Sequence, residues 1–488
     1  QSAASFRAGN LLIHSLNAVL LFRLVRTLQQ PRDNLVVAAV VSGWFVLAGV
    51  NVEAVTWLSG RFDLLGTACM LTGLLLRSHA SPGRRCGAGA MLVAAVLCKE
   101  AFIGGVGVYV LHEVLLLRRP RRSHGPEIAV VILGLVAYFA ARLGTGVPSA
   151  SVVLGTGLGD LIRSYVFLLV TYPVLLLAPV SLDQFRRYAP PAMATTVVTI
   201  AVVLAALTLL ARAWWQARRA GSGDGLRTGV VLFGFGFTLC GFAPLVLTGP
   251  NLGMVGERYA YFPSLGLYCA LAVGMAAGAE RLGERWPSPK SALTAMLVTL
   301  PALLLAGQLL FQQTRLRDWR SPKALYDASV LRDPDNPHAL YHLGHLLAVE
   351  GRLEEARVLL HAAYQRDSSS WRTINALCYV ELNSGAGPAA VELCNQAVHA
   401  KRDNRRAWTN LASALMLVER WSDCVDAANA GLSLGDHVAV LHHVKAQCLA
   451  RLGRKQEAWS CVEQALRLDP NHRGALQLRR TMETTDGE

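Results

Sequence analysis

Apolar and polar positions divide this chain into two regimes. Before about residue 312, long apolar runs alternate with short polar interruptions; beyond it, apolar positions recur at helical spacing among many charges. The runs lie near 9–27, 35–50, 64–77, 87–98, 101–118, 127–144, 161–180, 193–211, 228–247, 262–279 and 291–311. Most approach the ~20 residues that carry a helix through hydrocarbon, which predicts about ten or eleven membrane helices. Segments 35–50 and 87–98 are short and need apolar flanks or local bilayer thinning. Gly and Ala are frequent, as close helix packing in lipid requires.

The last third repeats itself every 34 residues. Small residues return in register at Ala356, Ala390, Cys424 and Ala458, and again at Ala363, Ala397, Gly431 and Ala465. Gly351, Gly385 and Gly453 form a third column with Glu419 as its exception; Leu343, Leu377 and Leu411 form a fourth, broken by Lys445. This period belongs to tetratricopeptide repeats, in which each unit is two antiparallel helices. Small side chains sit where helices touch, and Gly closes the turn between them. Four repeats are expected over 337–470, after a helical connector with a half-repeat over 313–336 and before a capping helix and tail over 471–488.

Composition sharpens the first regime. The chain is 53% hydrophobic and 16% charged, whereas soluble domains carry about a quarter charged residues. Its net charge of +14 raises nucleic acid as a partner, but the placement of the charge excludes it. Arginines cluster in alternate short loops, at Arg23, Arg26 and Arg32; at Arg77, Arg84 and Arg85; at Arg118, Arg119, Arg121 and Arg122; at Arg212, Arg218, Arg219 and Arg227; and, with Lys290, at Arg281 and Arg285. That is the positive-inside pattern, and these loops are expected in the cytoplasm. Residues 51–62, Lys99 with Glu100, 145–160, 249–261 and the repeats then fall on the extracytoplasmic face. For both flanks of 161–180 to agree, that segment is expected to re-enter and return, with Pro173 breaking its helix.

Polar residues inside or beside the spans supply the candidate chemistry. Asn10, His14 and Asn17 form a stripe on the first helix with Arg7. Polar groups in a span are costly, so they bind partner helices or serve a function. The loop from Val50 to Asp63 places Glu53, Arg61 and Asp63 within eleven residues at a membrane surface. A guanidinium fork suits phosphate, and carboxylates hold a divalent cation or take a proton. Lys99-Glu100 interrupts two apolar runs, either as a mutual ion pair or as a cation facing a lipid phosphate. Arg258 and Tyr259 open the span at 262–279, as an aromatic belt or as contacts to the same headgroup.

The order of these pieces resembles the transmembrane and tetratricopeptide-repeat O-mannosyltransferases. It comprises Asn and His in the first span, Val-Glu-Ala-Val-x-Trp-Leu-Ser-Gly-Arg-x-Asp-Leu-Leu from Val52 to Leu65, Cys98-Lys99-Glu100, Glu257-Arg258-Tyr259-x-Tyr261-x-Pro263, and then the repeats. Ala48-Gly49 stands where that family usually has His-Pro. The resemblance implies a GT-C glycosyltransferase fold, a polyprenyl-phosphate sugar donor and a Ser or Thr acceptor in a protein. It also implies Arg61, Lys99, Arg258 and Tyr259 at the donor phosphate, with Glu53 and Asp63 as helper carboxylates and Mg or Mn as a possible divalent cation. Such enzymes carry their main acidic residues after their first span. The chain begins near the expected second span, so the principal acid is expected upstream of residue 1.

The fold class expected is therefore all-α: a polytopic membrane bundle over 1–312 followed by a solenoid. The expected partners are the membrane, a lipid-linked sugar and a protein or peptide in the concave groove of the repeats. The Ala, Gly, Leu and Arg richness favours a bacterial inner membrane, with the endoplasmic reticulum as the eukaryotic equivalent. The alternative is a membrane-anchored scaffold without catalysis. No C-x-x-C occurs among the ten cysteines, so zinc is not expected. The repeat cysteines are expected to be mostly buried thiols, and His442-His443 to be surface imidazoles.

Overall fold

The computed structural model describes residues 3–29, 34–79, 81–117, 125–144, 157–179, 182–183, 186–187, 189, 191–221, 223–247, 254–285, 290–435 and 437–485. The chain forms two compact units, Gln1–Arg320 and Ser321–Glu488. Arg32, the cluster Arg118 to Arg122, loop 145–156 and the side chains of Arg285 and Lys290 fall outside the description.

Every apolar run is helical. In order these helices are α1 (Ala3–Leu28), α2 (Asn34–Leu47), the short α3 (Asn51–Thr56), α4 (Arg61–Arg77), α5 (Pro82–Cys98), α6 (Gly105–His112), α7 (Gly125–Gly144), α8 (Leu158–Leu177), α9 (Met193–Arg219), α10 (Asp224–Phe242), α11 (Ser264–Arg285) and α12 (Lys290–Asp318). A 3₁₀ turn before α6 and a π turn after it make 100–117 one continuous helical stretch. Among the described residues six helices are both long and apolar enough to cross a bilayer: Ala4–Leu28, Glu100–Leu117, Gly125–Gly144, Leu158–Leu177, Met193–Arg219 and Asp224–Val246. Both α4 and α5 are 17 residues with charges at their ends, below the usual hydrocarbon span. The chain is a multi-pass integral membrane protein. Helices α7 and α9 expose Ile132, Leu133, Val136, Val197, Val198, Val202 and Leu209, an apolar surface suited to lipid and not to water.

Helix α8 corrects the expected break at Pro173: it runs unbroken through that residue for 20 residues. Tyr165 donates to the carbonyl of Leu239, one turn from the end of α10; Tyr172 donates to Gly256 at 2.5 Å; and Arg163 donates to Pro191, just ahead of α9. Nine residues past the end of α8, a minimal antiparallel ladder pairs β1 (Arg186–Arg187) with β2 (Met254–Val255), a small strand element in a chain expected to be all-α. The arginine-rich helix ends gather at the end of the bundle away from Glu53, where Arg23, Arg26, His79 and Arg84 line one groove.

In the second unit, α13 (Pro322–Arg332) precedes four helix pairs. These are α14 (Pro337–Val349) with α15 (Leu353–Arg366), α16 (Trp371–Asn383) with α17 (Gly387–Ala400), α18 (Arg405–Leu417) with α19 (Trp421–Ser433), and α20 (Ala439–Arg451) with α21 (Lys455–Leu468). The last helix is α22 (Arg473–Thr485). Asn336, Ser370 and Asn404 cap the first helix of three pairs by accepting from backbone N–H groups. Ala356, Ala390, Cys424 and Ala458 are fully buried at the helix contacts. The turn glycines Gly351, Gly385 and Gly453 all have left-handed φ, and Glu419 at the same position has φ 60°.

The cysteines depart from expectation. Cys378–Cys394 joins α16 to α17, and Cys424–Cys448 joins α19 to α20. The small-residue columns bring helices close enough for a bridge, which the absence of any C-x-x-C spacing concealed. Cys461 takes part in neither bridge. His442 is buried rather than on the surface, and His443 packs its ring on His472 at 5.0 Å.

Candidate functional site

The polar stripe of α1 binds the loops at the Glu53 end. The Asn10 amide donates to the carbonyls of Val55 and Trp57, both at 3.1 Å. The Asn17 amide donates to Leu64 and to the Tyr261 hydroxyl, and His14 Nδ1 lies 2.7 Å from that hydroxyl. Asn10, His14 and Asn17 thus fix loop 51–64 against the start of α11. They are positioning groups, buried and turned away from solvent.

On this frame each candidate cation acquires an acceptor. Glu53, fully buried, accepts from the Arg258 guanidinium with one carboxylate oxygen and from the Arg258 backbone N–H at 3.1 Å with the other. Lys99 Nζ donates to Asp63 at 2.7 Å and lies 5.2 Å from the centre of the Tyr259 ring. Arg61 donates to Asn10 at 3.0 Å and to the carbonyl of Phe6, and stacks over the Phe6 ring. Gly60 makes this placement possible: a Cβ there would meet the Ala54 carbonyl oxygen at 2.1 Å. Lys99 and Glu100 do not pair with each other, since Glu100 pairs with Arg142 across to α7.

Burial separates the two signs of charge. Glu53 and Asp63 are 0% and 11% exposed at their side chains, against 24% for Arg258 and 28% for Lys99. Carboxylates beneath therefore present cations above. Asp63, Arg258, Tyr259, Phe102, Phe262 and Pro263 line a shallow, open depression there. Burial alone would lower the Arg258 guanidinium, but the Glu53 carboxylate outweighs it and holds it above the usual arginine range. Burial raises the Tyr259 phenol, against the pull of Arg258. Both groups stay protonated at neutral pH.

Divalent-cation chemistry does not fit these residues. Both Glu53 oxygens are engaged and Asp63 holds Lys99. Among the described residues no group of three or more His, Cys, Asp or Glu side chains is placed to hold a metal ion.

Sequence reasoning missed the supports of the 256–260 turn. Arg315, at the end of α12, is buried and donates to Glu257 at 3.1 Å and to Asp318 at 2.9 Å. Trp57 meets Trp319 edge to face at 5.7 Å and lies under the Arg258 guanidinium. The available signal was the spacing of Gln308, Gln312 and Arg315 on one face of the last apolar helix.

Comparison with known proteins agrees with both units. A tetratricopeptide-repeat family profile matches residues 439–472. Protein O-mannosyl-transferase Tmtc3 of Drosophila melanogaster is 24% identical over 386 residues, covering 67% of this chain and 40% of that protein. The similarity runs through both units at low identity. Tmtc2 and Tmtc1 of the same organism, also named as protein O-mannosyl-transferases, are 32% and 33% identical over 110 and 135 residues, covering 22% and 27% of this chain. They are matched over 11% and 15% of their own length, so the chain spans less than half the length of each of these relatives. Among solved structures, MamA MSR-1 C2 is 20% identical with a TM-score of 0.27, covering 30% of this chain and 87% of its own. YrrB, a TPR protein with an unusual peptide-binding site, is 18% identical with a TM-score of 0.30, covering 37% of this chain and 91% of its own.

Proposed function

We propose that the membrane unit binds a polyprenyl-phosphate-linked sugar at the Glu53 end and transfers the sugar to Ser or Thr of a protein held by the repeats. The observation that carries this is the layering of charge: Arg258 and Lys99, oriented by carboxylates beneath them, both lie against the Tyr259 ring in a lipid-embedded bundle. In such a transfer, negative charge develops on the leaving phosphate, and preorganised cations lower that barrier. Glu53 acts here by holding Arg258, not as a base, because it is buried and doubly engaged. The names of the Drosophila relatives favour mannose as the sugar. The repeats raise the effective concentration of the acceptor.

Two disulfides in the solenoid support its placement outside the cytosol, because such bonds persist in oxidising compartments. This agrees with arginine-rich helix ends facing the cytoplasm. A bacterial periplasm and the endoplasmic reticulum lumen both satisfy it, and the Ala, Gly, Leu and Arg richness favours the former. One observation favours the scaffold instead: Glu53, Asp63 and Glu257 are all ion-paired, leaving no free carboxylate among the described residues of this cluster. The test is transfer of mannose from a polyprenyl-phosphate donor to a Ser/Thr-rich protein by the full protein in liposomes. Glu53→Ala and Arg61→Ala are expected to abolish transfer while inserting normally; full turnover by both removes this site from consideration.

A further inference from the structure

The turn bearing Arg258 and Tyr259 is too short to hold its own shape: it is one 3₁₀ turn, Glu257–Ala260. Three contacts from elsewhere hold it. Tyr172 binds the Gly256 carbonyl, Glu53 binds Arg258, and Arg315 donates from Nε to Glu257 at 3.1 Å, with Nη2 ion-paired 3.0 Å from the other carboxylate oxygen. The last is the most buried, with side-chain exposures of 2% and 1%. Arg315 is fixed in turn by Asp318 and by the Trp319 ring. Gln308 and Gln312, further up the same helix, bond to backbone at Gly49, Leu176 and Val46. Helix α12 therefore braces both segments that supply Glu53 and Arg258.

We propose that the Glu257–Arg315 pair is a positioning latch: it sets the Arg258 guanidinium for the donor phosphate without touching the donor. This deepens the donor-binding function proposed above and rests on it. A buried ion pair is weak evidence for stability as such, since well-packed apolar replacements of both partners are often tolerated. What an apolar pair cannot reproduce is the directed, charge-assisted hydrogen bond from Arg315 Nε that orients the turn.

The test compares Glu257→Met/Arg315→Met with the unaltered full chain in detergent or nanodiscs. Removing both charges avoids the stranded carboxylate that Arg315→Met alone would leave, so the protein stays folded. Two readouts are taken: amide hydrogen exchange across 256–260, and affinity for a short-chain prenyl monophosphate against the matching prenol. Expected are faster exchange in that turn with an unchanged global melting point, and a phosphate affinity about tenfold weaker. In an Arg258→Ala background the same pair of substitutions is expected to cause no further loss of affinity. Unchanged exchange overturns the latch, as does a full-sized loss in the Arg258→Ala background. Should the unaltered chain not prefer the phosphate to the prenol, the donor-binding proposal falls and this one falls with it. Faster exchange then marks the pair as a brace for the turn alone.

Discussion

Glu53 and Glu419 show how one side chain sets the behaviour of its surroundings. Glu53 has no access to water, so removing its partner strands a buried charge. Arg258→Met is therefore expected to destabilise the membrane unit by about 3–5 kcal/mol, read from thermal unfolding in detergent, with Glu53→Gln on top restoring much of the loss. An Arg258→Met protein as stable as the parent contradicts the pairing. Glu419 occupies a turn that its three counterparts fill with Gly, and a left-handed non-glycine residue costs about 1–2 kcal/mol. Glu419→Gly is expected to stabilise the repeats by about 1 kcal/mol. At this scale the sequence disclosed a good deal: the Gly column predicted the strained turn, and the stripe Asn10, His14, Asn17 predicted a bundle-facing role. It could not disclose Arg315, because one arginine after an apolar helix looks the same whether it meets solvent or a buried glutamate.

Among the elements, the helix pairs of the solenoid carry the clearest consequences. Each disulfide closes a loop of 16 or 24 residues, worth about 3 kcal/mol in the chain-entropy picture. Reductant is expected to lower the solenoid's unfolding midpoint, and alkylation without reductant to modify Cys461 but spare Cys378, Cys394, Cys424 and Cys448. Alkylation of all five would contradict both the bridges and the oxidising compartment. Burial, reinforced by His472, lowers His443 to about 4, and burial with neighbouring histidines does the same to His342. The unfolded chain then takes up these protons first as pH drops below the usual imidazole value near 6.5. Stability from the neutral rings is full above about pH 6.5 and lost progressively toward pH 4. Melting of the repeats is expected to follow that slope, and His443→Leu to flatten it. The period of 34 made the helix pairs legible, but a period says nothing of which cysteines meet across them.

For the whole molecule, hydropathy located the long helices of the membrane unit but not the short α3 within the loop 51–62, nor the exact lengths of the others. Helix α8 stays helical through Pro173, and Tyr165, Tyr172 and Arg163 bond it to segments far along the chain. Only the fold discloses those partners. The charge layering has the same character: the residues were visible in the loops, whereas the order of burial, carboxylate below cation, emerges from packing. It is also what most directly bears on function. The deciding measurement is binding of a polyprenyl-phosphate sugar, against the same polyprenol without phosphate, to the full chain in nanodiscs. A preference of about tenfold or more for the phosphate, ~1.4 kcal/mol, is expected, falling away in Arg258→Gln and Arg61→Gln. Equal affinity for the two lipids, or a preference that survives both substitutions, would contradict a phosphate-binding mouth.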